Sequence, residues 1–187
     1  MNNDGGFTAG QSNMQFSLEQ TFNGSNEVAA ADMYARQIRL MTVERKLSAT
    51  PLEGPSLPVL QQRWSVASKT AVDDGQAFGL FSAECWLVGR RLADARPGTP
   101  IGMVSSCWSG SMIQPWLPPV GFDKYCPNAV ARGNEPPFTD SQMYNTMIYP
   151  LLPFAFSGII WHQGEENSGD PIEYVRVRVP TTFTGGG

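Results

Sequence analysis

The chain has 187 residues, a formal net charge of −4 and a pI near 5.0. That length suits one domain, and 41% hydrophobic residues supply a real core, which excludes full disorder. The acidic balance argues against nucleic acid, where phosphate neutralisation needs clustered Lys and Arg, and no apolar run of about 18 residues exists to span a membrane.

In chain order, Met1–Ala9 is polar and glycine-containing. It carries no strand pattern, and no basic and apolar regions of a signal peptide. After Gly10–Asn13 a helix is expected to run towards Arg36, interrupted by Asn23, Gly24 and Asn26. Asn23-Gly24-Ser25 is an N-glycosylation sequon, which matters only for a secreted chain. Ile38–Val43 reads as a short buried strand, and Ser48–Pro58, with three prolines, as a loop. Phe78, Phe81, Cys85, Trp86, Gly89 and Leu92 recur at steps near three and four, which predicts a helix over about Gly75–Asp94, ended by Pro97-Gly98. Ile101–Val104 is a short strand, and Pro115–Pro137 a proline-rich loop. Tyr144–Leu152 reads as a helix bent by Pro150. Phe156–Trp161 is a further strand. Val175, Val177 and Val179 alternate with arginines in a half-buried strand pattern, and Gly185–Gly187 is a flexible tail. Cys85, Cys107 and Cys126 show no CxxC spacing, which argues against a zinc site; a pairing of Cys107 with Cys126 stays open.

Short strands alternating with helices predict an α/β layer fold with a parallel sheet. Ligands of such sheets sit at the carboxyl ends of the strands, so three polar loops are expected to share one edge. Gly10-Gln11-Ser12-Asn13 places a serine at a tight turn before a helix, whose N-terminus favours negative charge; a helix N-cap is the plainer reading of that serine. Trp108-Ser109-Gly110-Ser111 offers backbone N–H groups for an oxyanion, or is an ordinary turn. In Trp161-His162-Gln163-Gly164-Glu165-Glu166-Asn167, an amide side chain has N–H groups to give to an oxyanion. His162, the single histidine, is either a general base or a ring at a strand end. Glu165 and Glu166 would point to opposite faces of an extended chain, which argues against a paired-carboxylate glycosidase.

These blocks together resemble the sialate O-acetylesterases of the SGNH (GDSL-like) hydrolase superfamily. Gly10-Gln11-Ser12-Asn13-Met14-Gln15 is similar to their nucleophile block. Phe81-Ser82-Ala83-Glu84-Cys85-Trp86 with Gly89-Arg90 looks like a helix of the animal members. Pro100–Ser106 through Trp108-Ser109-Gly110-Ser111 resembles a block that usually ends W-G-G-T. Tyr144–Leu151 matches W-N-A-M-I-x-P-L, and Trp161–Asn167 matches W-Y-Q-G-E-S-N. The five matches are collinear over about Gly10–Gly169.

The resemblance implies a flavodoxin-like three-layer fold with a parallel sheet. Ser12 would be the nucleophile. The N–H groups of Ser12 and Gly110, with the side chain of Gln163 or Asn167, would form the oxyanion hole, with Gln163 preferred. Gln11, Trp108, His162 and Glu165 would line the pocket, Glu165 organising its loop. The implied reaction is acyl transfer from an O-acetylated glycan, chiefly 9-O-acetyl sialic acid, to serine and then to water. No metal or organic cofactor is implied, the oligomeric state is open, and members are often secreted or lysosomal.

Two departures stand out. The apolar strand that usually precedes G-Q-S-N-M is expected to be missing, so that residues 1–9 and 170–187 would be tails around a partial domain at 10–169. Without that strand, Phe16, Phe22, Ile159 and Ile160 would lack a neighbouring layer. The family's D-x-x-H block, source of the base histidine, has no counterpart, and His162 is expected to be a pocket or packing residue. The chain is therefore expected to be a poorly active fragment, truncated product or decayed paralogue. The alternative is a non-catalytic binder of acetylated sugars built on Trp108, Trp161 and Gln163.

Overall fold

The computed structural model describes residues 4–53, 60–121 and 141–169. The expected features at Cys126, Val175–Val179 and Gly185–Gly187, and the later parts of the two proline-rich loops, lie outside those residues. The chain divides into two compact units. One holds residues up to Glu44, Leu60–Ser109 and Ala155–His162; the other holds Arg45–Val59, Gly110–Phe154 and Gln163 onward.

The first unit is built on a five-stranded sheet: β1 (Asp4–Gly10), β2 (Ile38–Val43), β3 (Leu60–Val66), β4 (Ile101–Cys107) and β5 (Gly158–His162), in the order β3-β2-β4-β1-β5. β2, β4, β1 and β5 run parallel, and β3 joins β2 antiparallel at the edge. The expected α/β architecture with a parallel sheet is present.

The strand expected to be missing is present and central. β1 occupies Asp4–Gly10, within the stretch read as a tail, and pairs along its length with β4 and with β5. Its backbone is held from both sides, so the ladder supplies what side chains do not. Small residues here are a packing requirement. A Cβ on Gly6 would lie 2.7 Å from Met103 Sδ, and one on Gly89 would lie 2.7 Å from Met103 Cγ. Met103, fully buried, thus fills a slot between a glycine of β1 and a glycine of the helix above. Phe7 stacks on Phe156 at 5.2 Å, and Ile159 and Ile160 pair in register with Phe7 and Thr8.

The helical segment after Ser12 is broken as expected but differently placed. α1 is a single turn (Ser12–Gln15), and α2 (Gly24–Ala30) starts at the residues expected to interrupt it. Asn23 adopts a left-handed φ of 63° and serves as the entry to α2. A short helix, α3 (Lys69–Val72), follows β3; neither was legible in the sequence, because β3 is a polar, mostly exposed edge strand. α4 spans Ala83–Ala95, starting later than periodicity implied. Phe78 has φ 54° and stacks on Phe16 at 5.2 Å, so it belongs to the approach rather than the helix. Ser82 caps α4 by accepting from Cys85 N at 3.1 Å.

α4 lies over β4, β1 and β2 and buries Ala83, Cys85, Trp86, Gly89 and Ala93. A partly buried ion pair braces it to α2: Arg90 Nη1 donates to Glu27 Oε1 at 2.8 Å, and Trp86 Nε1 donates to Glu27 Oε2 at 3.2 Å. Burial pushes the Cys85 thiol pKa far up, which makes it a packing residue and not a reactive one.

In the second unit, Tyr144–Ile148 forms a wide π-helical turn that tightens into a 3₁₀ turn at Tyr149–Leu151, where Pro150 sits. Asn145 Nδ2 donates to Ser48 O at 3.0 Å, and Leu52 N donates to Asn145 O at 2.9 Å. These bonds fasten the segment after Arg45 to the helical turn.

Candidate active site

β1, β4 and β5 end level with one another: Gly10 pairs with Cys107 on one side and His162 on the other. Their carboxyl ends form one edge, the place where parallel sheets bind ligands. Gly10 makes the sharp exit possible. Its φ is +148°, and a Cβ there would sit 2.0 Å from His162 O. The turn is fixed by Gln11 N donating to His162 O at 3.0 Å and Trp108 N donating to Gly10 O at 2.9 Å.

Ser12 is the first residue of α1 and is partly exposed. The N-cap position belongs to Gln11, which makes no side-chain cap bond, so the helix-cap reading of Ser12 does not hold. The Ser12 hydroxyl forms no hydrogen bond with the described residues. It is therefore an available oxygen beside the backbone N–H groups that open a helical turn. Gln11 itself is buried.

Two residues that the sequence did not single out shape this edge. Gln15, buried in α1, accepts from Ser109 N through Oε1 at 2.6 Å and donates from Nε2 to Phe78 O at 3.0 Å. It pins the turn after β4 to the turn carrying Ser12. Glu84, in the first turn of α4, meets His162: Nδ1 lies 2.9 Å from Glu84 Oε2. The His162 side chain is about half exposed, at 49%. Of the two roles expected for it, pocket or packing residue, a half-exposed ring held by Glu84 fits the first better than the second. Asn13, Phe16, Glu84 and Leu87 line an open groove of about 440 Å³ in this unit, its walls mostly apolar.

In the second unit, which also holds Gly110 and Glu165, Gln163 and Asn167 share one amide network. Asn167 is buried. Its Oδ1 accepts from Ile113 N at 2.8 Å and from Gln163 Nε2 at 2.8 Å, while its Nδ2 donates to Gln114 Oε1 at 3.1 Å. Gln163 Nε2 also donates to Ser111 O at 3.1 Å, so both of its amide hydrogens are engaged within this unit. Donation by Gln163 to an oxyanion requires the exchange of one of those bonds. Gly110 opens the braced segment with a left-handed φ of 72°. Glu165 and Glu166 lie in a 3₁₀ turn, Glu165–Asn167, and not on an extended strand; both are exposed.

Asn167→Ala would leave the Ile113 N–H and the Gln114 amide buried without their partner. Each such loss costs about 1–3 kcal/mol, so the variant is expected to be about 2–4 kcal/mol less stable in urea titrations of the chain. A change below about 0.5 kcal/mol, the range of ordinary surface substitutions, would contradict the brace.

Among the described residues, no group of His, Cys, Asp and Glu has the arrangement of a metal site, and no helix is long and apolar enough to cross a membrane.

No family model matches the chain. It is 33% identical over 165 residues to the sialate O-acetylesterases of Pongo abelii and Homo sapiens, covering 85% of this chain and 30% of each relative. A carbohydrate acetylesterase of known structure from Xanthomonas citri superposes with a TM-score of 0.73 at 29% identity, over 93% of this chain and 35% of that one. The chain thus spans about a third of the length of the proteins it matches.

Proposed function

The chain belongs to the sialate O-acetylesterase family, and from that premise we propose that it carries the nucleophile of a serine carboxylic-ester hydrolase acting on O-acetylated carbohydrates, chiefly 9-O-acetyl sialic acid. The observation that carries this reading is the Gly10-Gln11-Ser12 turn. It leaves a partly exposed serine hydroxyl without a hydrogen-bond partner among the described residues, at the carboxyl edge of the central strand.

In the proposed reaction, Ser12 Oγ attacks the acetyl carbonyl carbon, and the sugar leaves as an alcohol when the ester C–O bond breaks. Water then releases acetate from the acetyl-serine. The family roles implied for Gly110, Gln163 and Asn167 belong to the same proposal: the Gly110 backbone N–H and the side chain of Gln163, or else of Asn167, donate to the oxyanion. Gln11, Trp108, His162 and Glu165 are proposed to meet the sugar. The domain proposed for this chemistry runs over 10–169, extended by the observed strand to residue 4.

An activated acetyl ester tests the reading directly, because a good leaving group needs little acid assistance. Incubation of the 187-residue chain with p-nitrophenyl acetate, followed by acid quench and peptide mass spectrometry, is expected to find the acetyl group on Ser12. Acetylation confined to other residues would refute the assignment. Binding of 9-O-acetyl sialic acid with no acetylation of Ser12 would instead favour the non-catalytic binder.

A further inference from the structure

We propose, resting on the esterase reading, that Gln15 is a positioning residue for the oxyanion: its side-chain amide holds the turn after β4 in the place from which the Gly110 N–H donates. The turn Trp108-Ser109-Gly110 offers successive backbone N–H groups, and the first two are engaged. Trp108 N donates to Gly10 O at 2.9 Å, and Ser109 N donates to Gln15 Oε1 at 2.6 Å. Gly110 carries the next N–H along the chain.

The hold is two-sided and admits one orientation. Gln15 is buried, and its Nε2 donates to Phe78 O at 3.0 Å. With an N–H on one side and a carbonyl on the other, the amide cannot flip without losing both bonds. Its own backbone is fixed as well, since Gln15 N donates to Gln11 O at 3.0 Å and closes the turn that carries Ser12. Phe78 is an unusual anchor. Its φ of 54° is an outlier for a bulky side chain. Its N donates to Gln20 Oε1 at 2.6 Å, and its ring stacks on Phe16 at 5.2 Å. Backbone strain of this kind persists where the surroundings over-determine it, and here it presents a carbonyl to Gln15. One amide thus ties the Ser12 turn to segments 63 and 94 residues away, the approach to α4 and the turn after β4.

An oxyanion donor must lie where negative charge develops, and a misplacement of about 1 Å can cost about 10²-fold in rate. Release of Ser109 N–H lets the peptide that follows it turn. The loss then falls on the chemical step and not on ester binding, because the oxyanion exists only as the bond to Ser12 forms.

The test follows the rate at which p-nitrophenyl acetate acetylates Ser12 of the 187-residue chain, by acid quench and mass spectrometry over a range of ester concentrations. Gln15→Met, of similar size and without the amide, is expected to lower the maximal rate about 10- to 100-fold, with the half-saturating concentration within about twofold of the parent's. Gln15→Glu keeps an acceptor for Ser109 N–H and loses the donor to Phe78 O, and is expected to recover most of the rate. Rates are taken per folded molecule, with the folded fraction read from urea titrations. A purely structural role for Gln15 would leave those rates at the parent's value, and that result would overturn the proposal. An equal loss in Gln15→Glu and Gln15→Met would also overturn it, since the effect would then lie at Phe78. If neither variant folds, the Ser109 amide of the parent decides. It is expected to be protected from hydrogen exchange, and exchange at the rate of an open turn would overturn the role. A parent chain that is never acetylated at Ser12 would remove the esterase reading itself, and this role with it, a result distinct from the others.

Discussion

Gly10→Ala is expected to destabilise the chain by about 3 kcal/mol or more, enough to threaten a fold whose total stability is of order 5–15 kcal/mol. Two costs act together. At φ +148° any Cβ is strained, and here it would also lie 2.0 Å from His162 O, 2.7 Å from His162 C and 3.0 Å from His162 N. These are backbone atoms of a paired strand and have no rotamer to change. Relief requires β1 and β5 to separate at their carboxyl ends, which breaks the Gln11 N to His162 O bond and displaces Ser12. Gly6→Ala supplies the contrast. Its Cβ would meet Met103 Sδ and Cε at 2.7 and 2.8 Å, the mobile end of a flexible side chain, so the cost is expected to stay near 1–2 kcal/mol. Urea midpoints of the two variants give the comparison directly. Equal midpoints, or a Gly10→Ala protein as stable as the parent, would show that the turn is not held against β5 as described.

The same glycines explain what was legible in the sequence. β2, β4 and β5 carry the apolar runs Ile38–Val43, Ile101–Val104 and Ile159–Trp161, and each stands out by composition alone. β1 does not, because Gly5, Gly6, Thr8 and Ala9 are chosen by their neighbours. Met103 needs the space over Gly6, and the backbones of β4 and β5 supply the pairing. The sequence signals of a central strand were therefore written in strands about 90 and 150 residues away. β3 was invisible for the opposite reason: an edge strand with one face in water needs little apolar character. At the site, the glycine–serine turn was legible because its chemistry is local. Gln15 and Glu84 were not, since their partners Ser109 and His162 lie 94 and 78 residues distant. A one-dimensional motif holds no record of such contacts. The start of α4 was misplaced because Phe78 and Phe81 continue its apolar period while Phe78's left-handed φ forbids helix.

Ser12→Ala is expected to bring acetyl-ester hydrolysis by this chain down to the uncatalysed rate, whereas His162→Asn should leave the rate within about twofold, far short of the 10²–10⁴-fold typical of a general base. The difference follows from what each residue offers. Ser12 carries the oxygen that would form the covalent bond. His162 has Nδ1 at 2.9 Å from Glu84 Oε2, an arrangement that orients an imidazole well, and this makes it the obvious candidate for the base. Yet a base must reach the proton it takes, at about 2.6–3.2 Å, and the Ser12 hydroxyl makes no hydrogen bond to His162. With no other histidine in this sequence, Ser12 is expected to go without the activation that a partner base gives. The 187-residue chain should accordingly turn over slowly, and its acetyl-serine should persist long enough to be trapped. Steady-state rates of the parent, Ser12→Ala, His162→Asn and Glu84→Gln proteins from pH 5 to 9 decide the matter. A tenfold loss in both His162→Asn and Glu84→Gln, with a rate that rises through the imidazole range in the parent alone, would make the Glu84–His162 pair the base. Ser12 would then be served from β5, the strand whose backbone already fixes its turn.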